Sequence, residues 1–126
     1  MNKAVYDTRF FVESYYSKDK TQLAKIRTHK ARKRYISSIV IHEIYHLAIA
    51  REGREVAKLK VINLLKEFDV VTVDDQIAQI SADLRHKYQL SMGDSMIAAT
   101  AYMLKAVCIS DDPHFKQIIE ITTEWI

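Results

Sequence analysis

Short apolar runs alternate with helix-length stretches along this chain, and that alternation limits the possible folds more than any other feature. Residues 4–7, 35–37, 70–73, 106–110 and 118–121 read as strands. Val70-Val71-Thr72-Val73 is the clearest, being β-branched at every position. Helical stretches fall at 8–17, 20–33, 38–51 and 54–67, followed by one capped by Asp74 or Asp75 and one running from Ser91 to about Leu104. Ser37 and Ser38 can cap the third helix, Gly53 breaks it, and residues 113–117 read as a turn. Val56, Leu59, Ile62 and Leu65 recur on one face of the fourth helix, and Ile77, Ile80, Leu84 and Tyr88 do so on the fifth. With only two glycines and one proline, the connections must be tight. Strands of this kind between amphipathic helices imply an α/β fold with a mostly parallel sheet covered on both faces.

A length of 126 residues is right for one domain spanning 1–126, with room for a sizeable core. Hydrophobic residues make up 48% and charged residues 28%, which excludes disorder as the dominant state. No stretch approaches the roughly 18–20 apolar residues of a membrane span, and the first residues do not form a secretory signal. The single cysteine, Cys108, can form no disulfide within the chain; a small buried hydrophobe in a protein of the reducing cytoplasm is the expectation.

Asp7, Glu43, Asp94 and Asp112 each stand at the end or entry of an element, among apolar neighbours. Parallel sheets bind ligands outside the carboxyl ends of their strands. Asp7 and Asp112 fall at or past strand ends and Asp94 at a helix start, so the pattern sends these acids to one rim. Converging carboxylates need a cation between them, and hard oxygen donors suit Mg²⁺ or Mn²⁺. Such a centre suits phosphodiester hydrolysis, since the ion activates water and polarises phosphate without a protein nucleophile. Each acid also has an ordinary reading. Asp7 can cap a helix, Asp94 can complete a capping box with Ser91, Glu43 can lie on a solvated face, and Asp112 can start a turn.

Taken in order, these segments resemble the PIN domain family over nearly the whole chain. The residues that carry the likeness are Val5-Tyr6-Asp7-Thr8, then Ile36-Ser37-Ser38-Ile39-Val40-Ile41-His42-Glu43-Ile44. Leu90-Ser91-Met92-Gly93-Asp94-Ser95-Met96-Ile97 and Val107-Cys108-Ile109-Ser110-Asp111-Asp112-Pro113-His114-Phe115 follow. The resemblance implies a three-layer α/β/α sandwich and a Mg²⁺- or Mn²⁺-dependent ribonuclease. Asp7, Glu43, Asp94 and Asp112 would be its catalytic, metal-binding acids, with Thr8, Ser110 and Asp111 in support. Small members of the family are commonly VapC-type toxins, often homodimeric and inhibited by a cognate antitoxin. The Asp111-Asp112 doublet leaves open which of the two is the fourth ligand, and two further residues depart from the family pattern. Arg9 follows Asp-Thr where a small polar residue is usual, and it could reach a substrate phosphate or pair with an acid. Lys105 stands where a glycine often ends the helix.

Charge is distributed unevenly. Residues 18–34 hold eight Lys/Arg and one acid, whereas the remainder holds 11 basic and 15 acidic residues. Lys30, Arg32 and Arg34 could neutralise an RNA backbone or face an acidic antitoxin segment, and Tyr35 could stack on a base. A solvated helix end reads equally well. Phe10, Phe11, Tyr15 and Tyr16 are expected in the core, with a dimer or antitoxin groove as a further use. Two rival functions stay open. His42-Glu43-Ile44-Tyr45-His46 matches the zinc-protease pattern H-E-x-x-H, with Glu67 as a conceivable third ligand. A non-catalytic PIN-like module that binds RNA or protein is the other.

Overall fold

The computed structural model describes residues 2–126; Met1, the first residue of the expected domain, lies outside the described residues. Five strands form one parallel sheet in the order β3-β2-β1-β4-β5. They are β1 (Lys3–Tyr6), β2 (Lys33–Ser37), β3 (Asp69–Val71), β4 (Val107–Ile109) and β5 (Thr123–Glu124). Helices α1 (Thr8–Tyr16) and α2 (Lys20–Thr28) join β1 to β2, and α3 (Ser38–Glu52) and α4 (Arg54–Glu67) join β2 to β3. Helices α5 (Asp75–Tyr88) and α6 (Met92–Leu104) carry the chain back across the sheet to β4, and the short α7 (Pro113–Lys116) leads towards β5. Parallel crossovers are right-handed, so the outward pair of connections and the returning one cover opposite faces. The result is the expected three-layer α/β/α sandwich. Helix α6 packs across β1, β2 and β4, with α5 against it.

The strands are short because they are buried. Ala4, Val5, Tyr6, Ile36, Cys108 and Ile109 have no exposed surface, so a few residues bury much apolar area. Polar caps begin the helices. Asp19 accepts from the Thr21 and Gln22 amides, Ser37 from Ile39, Asp74 from Ile77 and Ser91 from Asp94. Gly53 links α3 to α4 with φ at +89°, a region that side chains disfavour. Lys105 ends α6 in the left-handed region at φ 52°, doing a glycine's task at a cost of about 1 kcal/mol.

Several boundaries and faces differ from the sequence expectation; residues 113–117, read as a turn, contain the short helix α7, and β3 stops at Val71. Helix α2 ends at Thr28, not residue 33, because Lys33 and Arg34 pair with Lys3 and Ala4 in the sheet. The final strand is Thr123–Glu124, pairing with Cys108 and Ile109. Residues 118–121 instead make a turn that buries Ile118 and leaves Ile119 82% exposed. In α4 the buried residues are Ala57 and Leu64, while Leu59, Ile62 and Leu65 are 60%, 48% and 54% exposed. Most of the apolar stripe therefore faces outward, since α4 packs on α3 and β3 and buries Ala57 and Leu64.

Candidate functional site

Sheet order places a reversal beside β1. From β1 the chain moves to β2 and β3, then returns to β4 on the other side of β1. A crevice opens at the carboxyl ends of strands at such a point. Asp7 follows β1 and Ser110 follows β4, and the Asp7 amide donates to the Ile109 carbonyl at 3.0 Å. The Ser110 hydroxyl donates to Asp7 Oδ2 at 2.6 Å and accepts from the Asp112 amide at 3.0 Å. A single buried hydroxyl thus ties the first acid to the last.

Helix starts bring in the other two acids. Thr8, the first residue of α1, donates its hydroxyl to Glu43 Oε1 at 2.6 Å, which draws the second turn of α3 against β1's end. Asp94 lies in the first turn of α6, its amide held by the Ser91 side chain at 3.2 Å. Gly93 lets α6 approach α3, since a Cβ there would stand 3.0 Å from Glu43 Oε2. The Asp7 side chain makes no cap bond to α1, although the residue stands at the cap position. Asp112 does cap α7 through Oδ1, which accepts from the His114 amide at 2.9 Å and lies 2.7 Å from the His114 ring Nδ1.

The carboxylates feel one another. Burial pushes the Asp7 carboxyl up to about 7; the Ser110 hydrogen bond opposes the rise, and the charges of Asp94, Glu43 and Asp112 add to it. Asp94 is raised by burial and then by Asp112, with Glu43 contributing and Ser91 and His114 opposing. Among the described residues, no Lys or Arg forms an ion pair with any of these four acids. Asp7 and Asp94 thus lie within electrostatic reach of one another and of Glu43 and Asp112, and carboxylate oxygens are the donors that hard divalent ions prefer.

Arg9 does not reach into this set. Its Nε and Nη2 hold the two oxygens of Asp111 at 3.1 and 3.2 Å, and Nη2 also meets Glu13 at 3.1 Å. Asp111 is therefore bound to a guanidinium while Asp112 remains beside Asp94. Lys30 and Arg32 are exposed just before β2, whose Lys33 pairs with Lys3 at the start of β1. That is the amino end of the sheet, about 13 Å or more from Asp7 by strand rise. Arg34 stacks over the Phe68 ring at 4.6 Å and donates to the Glu67 carbonyl.

His42 and His46 are both exposed on α3, with ring centroids 6.2 Å apart. Among the described residues, the only group of three His, Cys, Asp or Glu donors close enough for one ion is Asp94, Asp112 and His114. Neither α3 histidine belongs to it, and Glu67 lies instead beside a groove with Phe11 and Tyr15. Gly93 and His114 received no role from the sequence alone. The available signals were a glycine in a first helical turn, where it weakens the helix, and a histidine two residues past an acid.

The sequence model of the PIN domain matches residues 4–121. This chain belongs to the PIN domain family. As a PIN domain it is similar to several solved structures. A DNA-bound VapBC from Salmonella typhimurium is 22% identical with a TM-score of 0.81, covering 99% of this chain and 98% of that one. VapBC-1 from nontypeable Haemophilus influenzae is 17% identical with a TM-score of 0.79, covering 97% and 96%. Mycobacterium tuberculosis VapC20, described as a Sarcin-Ricin loop cleaving toxin, is 18% identical with a TM-score of 0.75, covering 90% and 93%. These likenesses are of fold. No curated protein sequence matches the chain. No helix among the described residues is long and apolar enough to cross a membrane.

Proposed function

We propose that this PIN domain is a divalent-metal-dependent ribonuclease of the VapC toxin type, acting through Asp7, Glu43, Asp94 and Asp112. The observation that carries the reading is the gathering of these acids at the sheet's switch point, where Ser110 links Asp7 to Asp112 and Thr8 holds Glu43, with no Lys or Arg among the described residues ion-paired to them. Asp7 and Glu43 would each offer the ion the oxygen that their hydroxyl partners leave free, and Asp94 and Asp112 would complete the set. When bound, Mg²⁺ or Mn²⁺ supplies Lewis acidity to phosphate and lowers the pKa of water. The chain's own contribution is positional. Ser110 and Thr8 fix the direction of two carboxylates, and Arg9 keeps Asp111 away from the remaining ones. Lys30, Arg32 and Arg34, being distant from the acids, would contact RNA only beyond the scissile phosphate.

A cognate antitoxin and a homodimer belong to the same reading. A groove of about 370 Å³ runs between α1, α2 and α4, lined by Phe10, Phe11, Tyr15, Arg34, Lys60 and Phe68 among others. Its mixed aromatic and cationic lining suits an amphipathic peptide bearing acids. The Salmonella relative is a VapBC complex on DNA, which lends the antitoxin partner support by likeness.

The test is cleavage of a panel of structured and single-stranded RNAs by the antitoxin-free protein, with Mg²⁺ or Mn²⁺ and with EDTA. Metal-dependent cleavage that survives His46→Gln supports the reading. RNA binding without cleavage by any preparation would favour a binding module, whose affinity should fall on removing the charges of Lys30, Arg32 and Arg34. Gly93→Ala probes the geometry further. The added methyl must push the Glu43 carboxylate by a few tenths of an ångström. We expect cleavage to fall about tenfold, while stability stays within about 1 kcal/mol because alanine favours the helix. Parallel single-turnover cleavage and thermal unfolding would check both halves.

A further inference from the structure

We propose that His114 supplies a nitrogen ligand to the divalent ion of the acidic site, biasing that site towards Mn²⁺ over Mg²⁺. The inference rests on the metal-dependent reading above and adds a donor to the four acids. One ring nitrogen of His114 and one carboxylate oxygen each of Asp94 and Asp112 lie within 4.8 Å of one another. Donors on a single octahedral ion with bonds of about 2.1 Å stand about 3 Å apart when adjacent and about 4.2 Å when opposite. The 4.8 Å limit lies a little above the opposite-donor spacing, so small side-chain rotations would bring the three donors onto one ion.

Local chain geometry explains the placement. Asp112 caps α7 and Pro113 is its first residue, so His114 projects from the first turn, beside the cap. Its Nδ1 lies against Asp112 Oδ1 at 2.7 Å. That is about the spacing of adjacent donors on one ion, so with the ring proton on Nε2, towards solvent, Nδ1 and Asp112 Oδ1 can both face the same cation. The ring is 65% exposed, and its only ion-pair partner among the described residues is Asp112. An imidazole donor raises affinity for Mn²⁺ and later transition ions more than for Mg²⁺, which keeps oxygen ligands and water.

Pulsed electron paramagnetic resonance of Mn²⁺ bound to the full chain reads nitrogen coordination directly. Wild type should show nitrogen coupling, His114→Gln should lose it and His42→Gln should keep it. In equilibrium titrations, His114→Gln should weaken Mn²⁺ binding about tenfold and change Mg²⁺ binding by less than about threefold. Circular dichroism checks that the exposed substitution leaves the fold intact. Asp94→Asn should weaken both ions. If wild type binds Mn²⁺ in an Asp94-dependent way with no nitrogen coupling, the histidine inference falls and the acidic site stands. Coupling that persists in His114→Gln also overturns the inference. If Asp94→Asn leaves Mn²⁺ binding unchanged, or wild type binds no Mn²⁺, the acidic-site reading falls with it.

Discussion

Asp94→Asn is expected to lower metal-dependent RNA cleavage by on the order of 10²-fold or more while leaving the protein folded. Each part of that expectation has a local cause. The Ser91 cap holds the Asp94 backbone amide, not its side chain, so the start of α6 survives the change. Asn has nearly the shape of Asp, and the variant removes a charge that Asp112 and Glu43 repel. Thermal stability without metal should therefore be equal or higher. Only the affinity for a divalent ion and the electrostatics around phosphate are lost. A factor of 10² corresponds to about 2.7 kcal/mol of activation free energy, well above what a shifted solvent-exposed side chain would cause. Single-turnover cleavage with saturating Mn²⁺, alongside circular dichroism, decides the matter. A variant that cleaves within a few-fold of wild type would remove Asp94 from the chemistry.

The second large effect concerns stability. Asp7 is 2% exposed, and its carboxyl is raised from 3.8 to about 7 in the metal-free fold. The folded state therefore holds this proton more tightly than the unfolded chain. Between about pH 4 and pH 7 the native state binds more protons, so stability declines as pH rises through that window. The loss is complete above the folded value and amounts to on the order of 2–4 kcal/mol. Asp7→Asn removes the ionisation yet keeps an oxygen that can accept from Ser110. Under EDTA at pH 8 the variant is expected to be more stable than wild type by about that amount. At pH 4 the two should converge. Mg²⁺ should stabilise wild type at pH 8 and hardly affect the variant. Urea unfolding at four pH values, with EDTA and with Mg²⁺, would check this; parallel pH profiles for the two proteins would refute it.

Much of the fold could be read from strand and helix periodicity because the central strands are buried on both sides. Val5, Ile36 and Cys108 announce themselves as apolar runs whichever neighbour they pair with. Element ends and edges were harder to read. Lys33 and Arg34 look like a helix terminus, and only the register with Lys3 and Ala4 turns them into strand. Thr123–Glu124 is too short and polar to signal a strand, whereas residues 118–121 look like one and are not. In α4 the apolar period is real, but periodicity cannot say which side meets α3. Asp7, Glu43, Asp94 and Asp112 were legible as acids in unfavourable settings. That Arg9 could pair with an acid was legible too, but that the acid is Asp111, and the approach of Gly93 to Glu43, were not, because each joins residues remote in sequence.

Asp7 and Ser110 are 103 residues apart in the chain and 2.6 Å apart in space. During synthesis at about 5–20 residues per second, β1 leaves the ribosome several seconds before its β4 partner exists. Until β4 arrives, Asp7 has neither Ser110 nor Asp112 beside it, and Asp94 has only just been made. A nascent fragment that stops short of β4 holds Asp7, Glu43 and Asp94 but lacks Ser110 and Asp112. Activity would begin in one step, at the moment the sheet closes around β1. A protein harmful to its own cell would then be inert for almost all of its translation, and an inhibitor made in the same period would meet it at the moment of completion.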